Sequence, residues 1–156
     1  MTDRVEVVIV GAGPAGLAVS RELTQAGVAH VVLEKGRVGQ TWRGWWDSFC
    51  LVTPNWSLQL PGHPYDQQDP DGFMLRDEVV AYLERYAAGC EAPVREGIEV
   101  TSLQPGPEGG LLLDSSAGQI AAETVILSAG AYQRPHRPAG AASLPAASSD
   151  RPGGLP

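Results

Sequence analysis

The order of apolar runs and glycine turns predicts an α/β chain: a parallel sheet with a helix packed on it, carrying a small three-stranded β-meander insertion. Three observations predict it. Residues 5–10, 28–33 and 124–128 are continuous, β-branched apolar runs, as expected of strands buried on both faces. The stretch between the first two, residues 14–26, is rich in helix formers and ends at Gly27, a natural residue just past a helix. Three shorter runs, 99–103, 110–114 and 119–122, are separated by turn-forming residues 105–109 and 115–118.

The turn that joins the first run to the helix is Gly11-Ala12-Gly13-Pro14-Ala15-Gly16. Gly11 permits a tight exit from the strand, Gly13 lets backbone approach a pyrophosphate, and Gly16 lets the helix sit close to the sheet. Pro14 suits a first helical position, where its missing N–H is no loss. The helix start then offers free N–H groups and a positive dipole end to phosphate. Glu34 ends the second run, where an acid accepts hydrogen bonds from a ribose hydroxyl and opposes a 2′-phosphate. Strand, glycines, helix, strand and acid together make a Rossmann-like, FAD/NAD(P)-binding unit; a purely structural glycine turn is the competing reading.

Composition narrows the function classes. Lys and Arg total 11 against 18 Asp and Glu, for a net charge of −7, which recruits neither nucleic acid nor an anionic membrane surface. No apolar stretch reaches the length of a bilayer span. Met-Thr-Asp-Arg leads straight into the first strand without a signal peptide, so the expected location is cytoplasmic. Cys50 and Cys90 lack the spacing of a redox pair or a zinc site and read as ordinary thiols; no metal site is expected.

Residues 36–46 form a glycine-punctuated loop with three tryptophans. The ring of Trp42 suits either an isoalloxazine or nicotinamide partner or a hydrophobic lid over the sheet, while Trp45 and Trp46 suit core packing. Residues 51–64 read as irregular chain with a short strand at 58–60. Residues 65–72 are turn material, and the positions where a calcium loop needs Glu hold Asp77 and Val80. A helix follows over 77–88, with an acidic first turn, a stripe at Val79, Val80, Leu83 and Tyr86, and Gly89 to close it. Val94-Arg95 reads as a short strand. His30 lies in a buried-strand pattern and reads as a satisfied core histidine. From residue 131 Ala, Pro, Gly and Ser dominate without apolar period, the composition of an unstructured tail. With no catalytic motif of its own, any chemistry here comes from a cofactor.

Gly11 to Leu17, Glu34-Lys35, Gly39-Gln40-Thr41-Trp42 and Trp46-Asp47-Ser48-Phe49, in that order, resemble the FAD-binding part of flavin-containing monooxygenases, closest to a bacterial branch of flavoproteins linked to ion transport. Residues 51–56, Leu60-Pro61-Gly62, residues 73–86, Ser128-Ala129-Gly130 and residues 132–135 fit the same pattern, so the resemblance extends to about Pro138. It implies FAD on the first βαβ unit, with NADPH as the reductant and O2 as the source of an oxygen atom passed to a soft nucleophile or a ketone. Gly11, Gly13 and Gly16 would hold the FAD pyrophosphate, with Pro14 and Ala15 in the same turn, and Glu34 followed by Lys35 would hold its ribose. Thr41 and Trp42 would lie toward the flavin, Val100 would touch adenine through its backbone, and Ala129-Gly130 would pass close to the dinucleotide.

The resemblance also implies what lies outside the chain: a second glycine-rich unit for NADPH, a substrate pocket and a closing segment. Residues 1–138 are accordingly expected to form an incomplete FAD-binding domain and residues 139–156 a disordered tail, as in a fragment, a frameshift product or a natural short protein. The expected function is the FAD-binding module of a monooxygenase, catalytically incomplete alone. A non-catalytic dinucleotide-binding remnant and a small NAD-binding reductase are the alternatives. Partners would be an unidentified small-molecule substrate and a missing C-terminal half or a second copy.

Overall fold

The computed structural model describes residues 3–107, 109–131 and 139–140. The expected tail 139–156 therefore lies, apart from its first two residues, outside the described residues, as do His136 and residues 132–135.

The first strand, β1 (Asp3–Val10), leads through the glycine turn into α1 (Pro14–Gln25), and β2 (His30–Glu34) returns beside it in parallel, Val8 opposite Val31 and Val10 opposite Leu33. A long excursion follows: α2 (Gln40–Arg43), a 3-10 turn at Asn55–Ser57, and α3 (Arg76–Gly89). The chain then lays down β3 (Val94–Glu96), β4 (Val100–Pro105), β5 (Leu111–Ser115) and β6 (Gly118–Leu127). All six strands of the described residues join one sheet in the order β3-β2-β1-β6-β5-β4, parallel among β3, β2, β1 and β6 and antiparallel from β6 through β5 to β4. The expected parallel neighbours and the Rossmann-like class are thus present.

The expected loop 36–46 holds the short α2, and two strand expectations differ. The third meander run and the parallel run are a single strand: β6 pairs with β5 up to Ala122 and with β1 throughout, from Asp3–Ile120 to Val10–Leu127. Residues 58–60 make no strand; only an isolated Leu60–His63 bridge forms, closing a turn whose carbonyls are taken by α3. Tyr82 donates its hydroxyl to the His63 carbonyl at 2.7 Å, and Tyr86 donates to that of Pro61 at 3.1 Å.

Each face of the sheet has its own core. Ile9 and Val32 pack on one face with Leu17 of α1 and Val79, Tyr82, Leu83 and Tyr86 of α3. Of the stripe read from the sequence, Val79, Leu83 and Tyr86 lie in this core and Val80 is also buried, while Tyr82 joins it unexpected. On the other face Val8, Val31 and Leu33 pack with Leu113, Ile120 and Ala122, joining the parallel strands to the meander. At the start of α3, Glu78 reaches back to accept the Leu75 N–H at 2.7 Å, and Asp77 and Glu78 place negative charge on the helix's positive end.

A buried side chain organises the irregular excursion. The Asn55 amide donates to the Asp69 carbonyl at 2.9 Å and the Tyr65 hydroxyl at 3.3 Å, and its oxygen accepts the Met74 N–H at 2.6 Å. Asn55→Ala leaves those groups unpaired inside the fold, at a cost of roughly 2–4 kcal/mol. A urea titration is expected to show a clearly lowered midpoint; an unchanged midpoint would mean the loop holds itself without this residue.

Candidate functional site

The glycine turn opens at the C-terminal ends of β1, β2 and β6. Gly11 has φ +107°, and a Cβ placed there would meet the Ser128 carbonyl oxygen at 2.5 Å, while Ser128 donates its N–H to Val10 at 2.8 Å. The end of β6 is therefore pressed against the turn, which is what brings Ala129 beside Gly11; Gly130 follows at φ +77°. Gly16 sits directly under the turn: its Cβ would lie 1.9 Å from the Gly11 carbonyl oxygen and 3.4 Å from Ile9 Cγ2. The demand on Gly16 is thus made by the turn itself as much as by the sheet.

Gly13 is different. It is the N-cap of α1, in extended backbone that any residue adopts, with no side chain capping the helix, and a Cβ there would meet nothing within 4 Å. Pro14 begins the helix and Ala15 is exposed beside it. The first turn of α1 thus has no side-chain cap and open space beside Gly13, an arrangement suited to phosphate.

Glu34 closes the other side. Its carboxylate, 8% exposed, accepts the Ala12 N–H and the Gly36 N–H, each at 2.9 Å, tying the glycine turn to the loop after β2. Each carboxylate oxygen retains a further acceptor position, so a ribose hydroxyl can still donate to it. Lys35 is exposed at the loop's start.

Thr41 and Trp42 lie on α2, whose N-terminal Gly39 seats against Val80 and Leu83 of α3. The Trp42 ring joins an aromatic group, 5.4 Å from Trp45 and 5.7 Å from Phe49, half-buried on the helical core. Trp45 packs there too. Trp46 does not: it is 55% exposed and stacks on Trp45 at 5.4 Å, correcting its expected place in the core. Val100 begins β4, half-buried against the second core. The structure thus unites Gly11, Gly13, Pro14, Ala15, Gly16, Glu34, Ala129 and Gly130 around one turn, and sets Thr41, Trp42 and Val100 on neighbouring elements.

His30 is satisfied at both nitrogens, Nδ1 donating to the Val28 carbonyl at 2.9 Å and Nε2 accepting from the buried Ser20 hydroxyl at 2.8 Å. Burial pushes the Cys90 thiol up, away from reactive thiolate. Sequence reasoning missed Gln40 and Glu96, which hold the loop after β2; side chains that bond to distant backbone leave no periodic trace. Among the described residues no helix is long and apolar enough to cross a membrane.

Comparison with known proteins finds relatives in sequence and in fold. A protein of Geobacillus kaustophilus described as an uncharacterized CzcO-like oxidoreductase is 38% identical over 145 residues, 92% of this chain and 41% of that protein. A flavin-containing monooxygenase from Stenotrophomonas maltophilia superposes with a TM-score of 0.77 at 30% identity, over 88% of this chain and 42% of that one. The bacillithiol disulfide reductase Bdr of Staphylococcus aureus, at 17% identity and a TM-score of 0.76 over 83% of this chain and 39% of that one, shares the fold. The chain spans about two fifths of the length of the bacterial curated relatives it matches. The pattern of one family covers residues 8–149, taking in the glycine turn, Glu34 and the end of β6 alike: the chain belongs to the pyridine nucleotide-disulphide oxidoreductase family, as an FAD/NAD(P)-binding domain related to flavin monooxygenases.

Proposed function

We propose that this chain is the FAD-binding module of an NADPH-linked, flavin-dependent monooxygenase, catalytically incomplete alone. The observation that carries the reading is the open cradle at Gly13, walled by Gly11 and the β6 end on one side and by Glu34 on the other. Nothing in the fold needs a glycine there, whereas a pyrophosphate does. The likeness to the flavin-containing monooxygenase and the CzcO-like oxidoreductase supports FAD as the dinucleotide.

Gly11, Gly13, Pro14, Ala15 and Gly16 would hold the pyrophosphate by backbone N–H groups and the α1 dipole. Glu34 would accept from the adenosine ribose, with Lys35 and the Val100 backbone nearby, and Ala129 and Gly130 would approach the dinucleotide as β6 ends. Thr41 and Trp42 would face the flavin end. The flavin, when bound, supplies hydride acceptance and oxygen activation. The chain's own residues bind and orient it, and Glu34 disfavours NADPH at this same site, so the reductant needs another place to dock.

The test is to load the purified chain with FAD, remove the excess, and record the visible spectrum. Then NADPH consumption, peroxide and oxygenated product are followed with a sulfide substrate. Retained blue-absorbing flavin without NADPH-dependent oxygenation is expected. A chain that takes NAD and refuses FAD would be a reductase, one that takes neither a remnant, and stoichiometric sulfoxide would place the whole active site within these residues.

A further inference from the structure

The loop after β2 shows an unusual use of side chains. Three consecutive backbone N–H groups each donate to a side-chain oxygen: Gly36 to Glu34 Oε1 at 2.9 Å, Arg37 to Gln40 Oε1 at 3.2 Å, and Val38 to Glu96 Oε1 at 2.8 Å. The acceptors come from three elements, β2, α2 and β3. Glu34 and Glu96 are register partners across β2 and β3, so two carboxylates close on the same loop from adjacent strand ends. Gln40 is folded over Gly36 so closely that a Cβ at Gly36 would fall 2.5 Å from its Cγ. Backbone bonds lock the arrangement, Gly97 N–H to the Gly36 carbonyl at 3.1 Å and Ile98 N–H to the Glu34 carbonyl at 2.9 Å.

Successive amides in a turn are the means by which backbone binds an anion. At this place in the unit, beside the acid that ends the second strand, the anion within reach is the 2′-phosphate of a phosphorylated adenosine ribose. Here the amides are already filled, two of the three by negative oxygens. The loop's Arg37 leans to 3.7 Å from Glu84 on α3, a residue that also pairs with Arg43. A 2′-phosphate would have to displace the chain's own acceptors and face both carboxylates.

We infer that Glu96 and Gln40 act with Glu34 as specificity-determining residues, filling the loop's amides from within so that the site takes a free ribose and refuses a 2′-phosphate. This rests on the proposed dinucleotide site. It goes beyond it in assigning the discrimination to a second carboxylate, on β3, and to an amide on α2. Rejection is built by occupying the subsite as well as by repulsion.

The experiment is calorimetric titration of the chain with ADP-ribose and with 2′-phospho-ADP-ribose, which differ only in that phosphate. Wild type is expected to favour ADP-ribose by about 100-fold or more, and Glu96→Ala to narrow the preference by about tenfold through tighter binding of the phosphorylated ligand, with ADP-ribose changed less than about threefold. Glu96→Gln keeps an acceptor for Val38 but loses the charge, so it narrows the ratio by only a few-fold, roughly; this variant carries the test if the alanine variant fails to fold. Equal loss of both ligands in the variants would mean a structural role only and overturn the inference. So would an unchanged ratio. Wild type binding ADP-ribose without discrimination overturns the inference and leaves the dinucleotide site standing; wild type binding neither ligand overturns both.

Discussion

Gly16→Val is expected to lower the thermal midpoint by about 10 °C or more, and in the extreme to prevent folding. The first atom it adds would lie 1.9 Å from the Gly11 carbonyl oxygen and 3.1 Å from the carbon behind it. Neither is a side chain that can swing aside. Gly11 is itself fixed, its N–H bonded to the Leu33 carbonyl at 2.8 Å and its Cα face pressed against Ser128. Relief requires α1 to lift from the turn, which opens the packing of Leu17 against Ile9 and Val32. Overpacking against yielding side chains costs about 1–3 kcal/mol; against immobile backbone the cost lies above that range, a large part of the roughly 5–15 kcal/mol that holds a domain folded. Circular dichroism melts of Gly16→Ala and Gly16→Val check this. A wild-type melting curve for both would mean that α1 is not seated on the turn as described.

Gly13→Val is expected to do the reverse: leave the melt within a few degrees of wild type and lower FAD affinity by about 100-fold or more, equivalent to about 3 kcal/mol. Its backbone has φ −84°, ψ −175°, open to any residue, and the added side chain meets nothing in the protein. Valine is a poorer helix cap than glycine, which costs roughly 0.5–1 kcal/mol. What the side chain does fill is the space proposed for the pyrophosphate. Flavin retention after gel filtration, measured beside the melts, separates the two glycines. Undiminished FAD binding by Gly13→Val would remove the pyrophosphate from this turn.

The sequence made the parallel half of the sheet legible because Val7–Ile9 of β1 and Val31–Leu33 of β2 are buried on both faces and leave apolar runs; the end of β6 is apolar as well but only partly covered, Leu127 being 65% exposed. It divided β6 in two because the strand changes partners midway. Up to Ala122 it lies between β5 and β1, and beyond that β5 has ended; exposed Glu123, paired with Arg4 at 3.5 Å, interrupts the apolar pattern where the change occurs. The glycine turn was legible to the residue, since close backbone approach has no substitute for glycine at Gly11 and Gly16. The closing of the loop after β2 was not, since Gln40 and Glu96 act on backbone far from them in sequence. Trp46 was misassigned to the core because hydrophobicity alone cannot say which of two stacked rings lies outermost.

The position of β6 has a consequence for how the chain reaches this structure. β6, the last of the described strands, sits between β1 and β5, so the described sheet is in two separate pieces until it arrives. β1 finds β2 within a short loop, but its other neighbour lies 117 residues onward, Val10 to Leu127 by subtraction. Closing so long a loop carries a large entropic cost before any contact offsets it, which slows folding. Until β6 is made, β1 therefore presents an unpaired edge, the kind of surface on which nascent chains associate with one another, whereas β5 waits only the two residues of the turn before β6. The glycine turn waits as well, because the carbonyl that presses on Gly11 belongs to Ser128, one residue past the strand that completes the sheet.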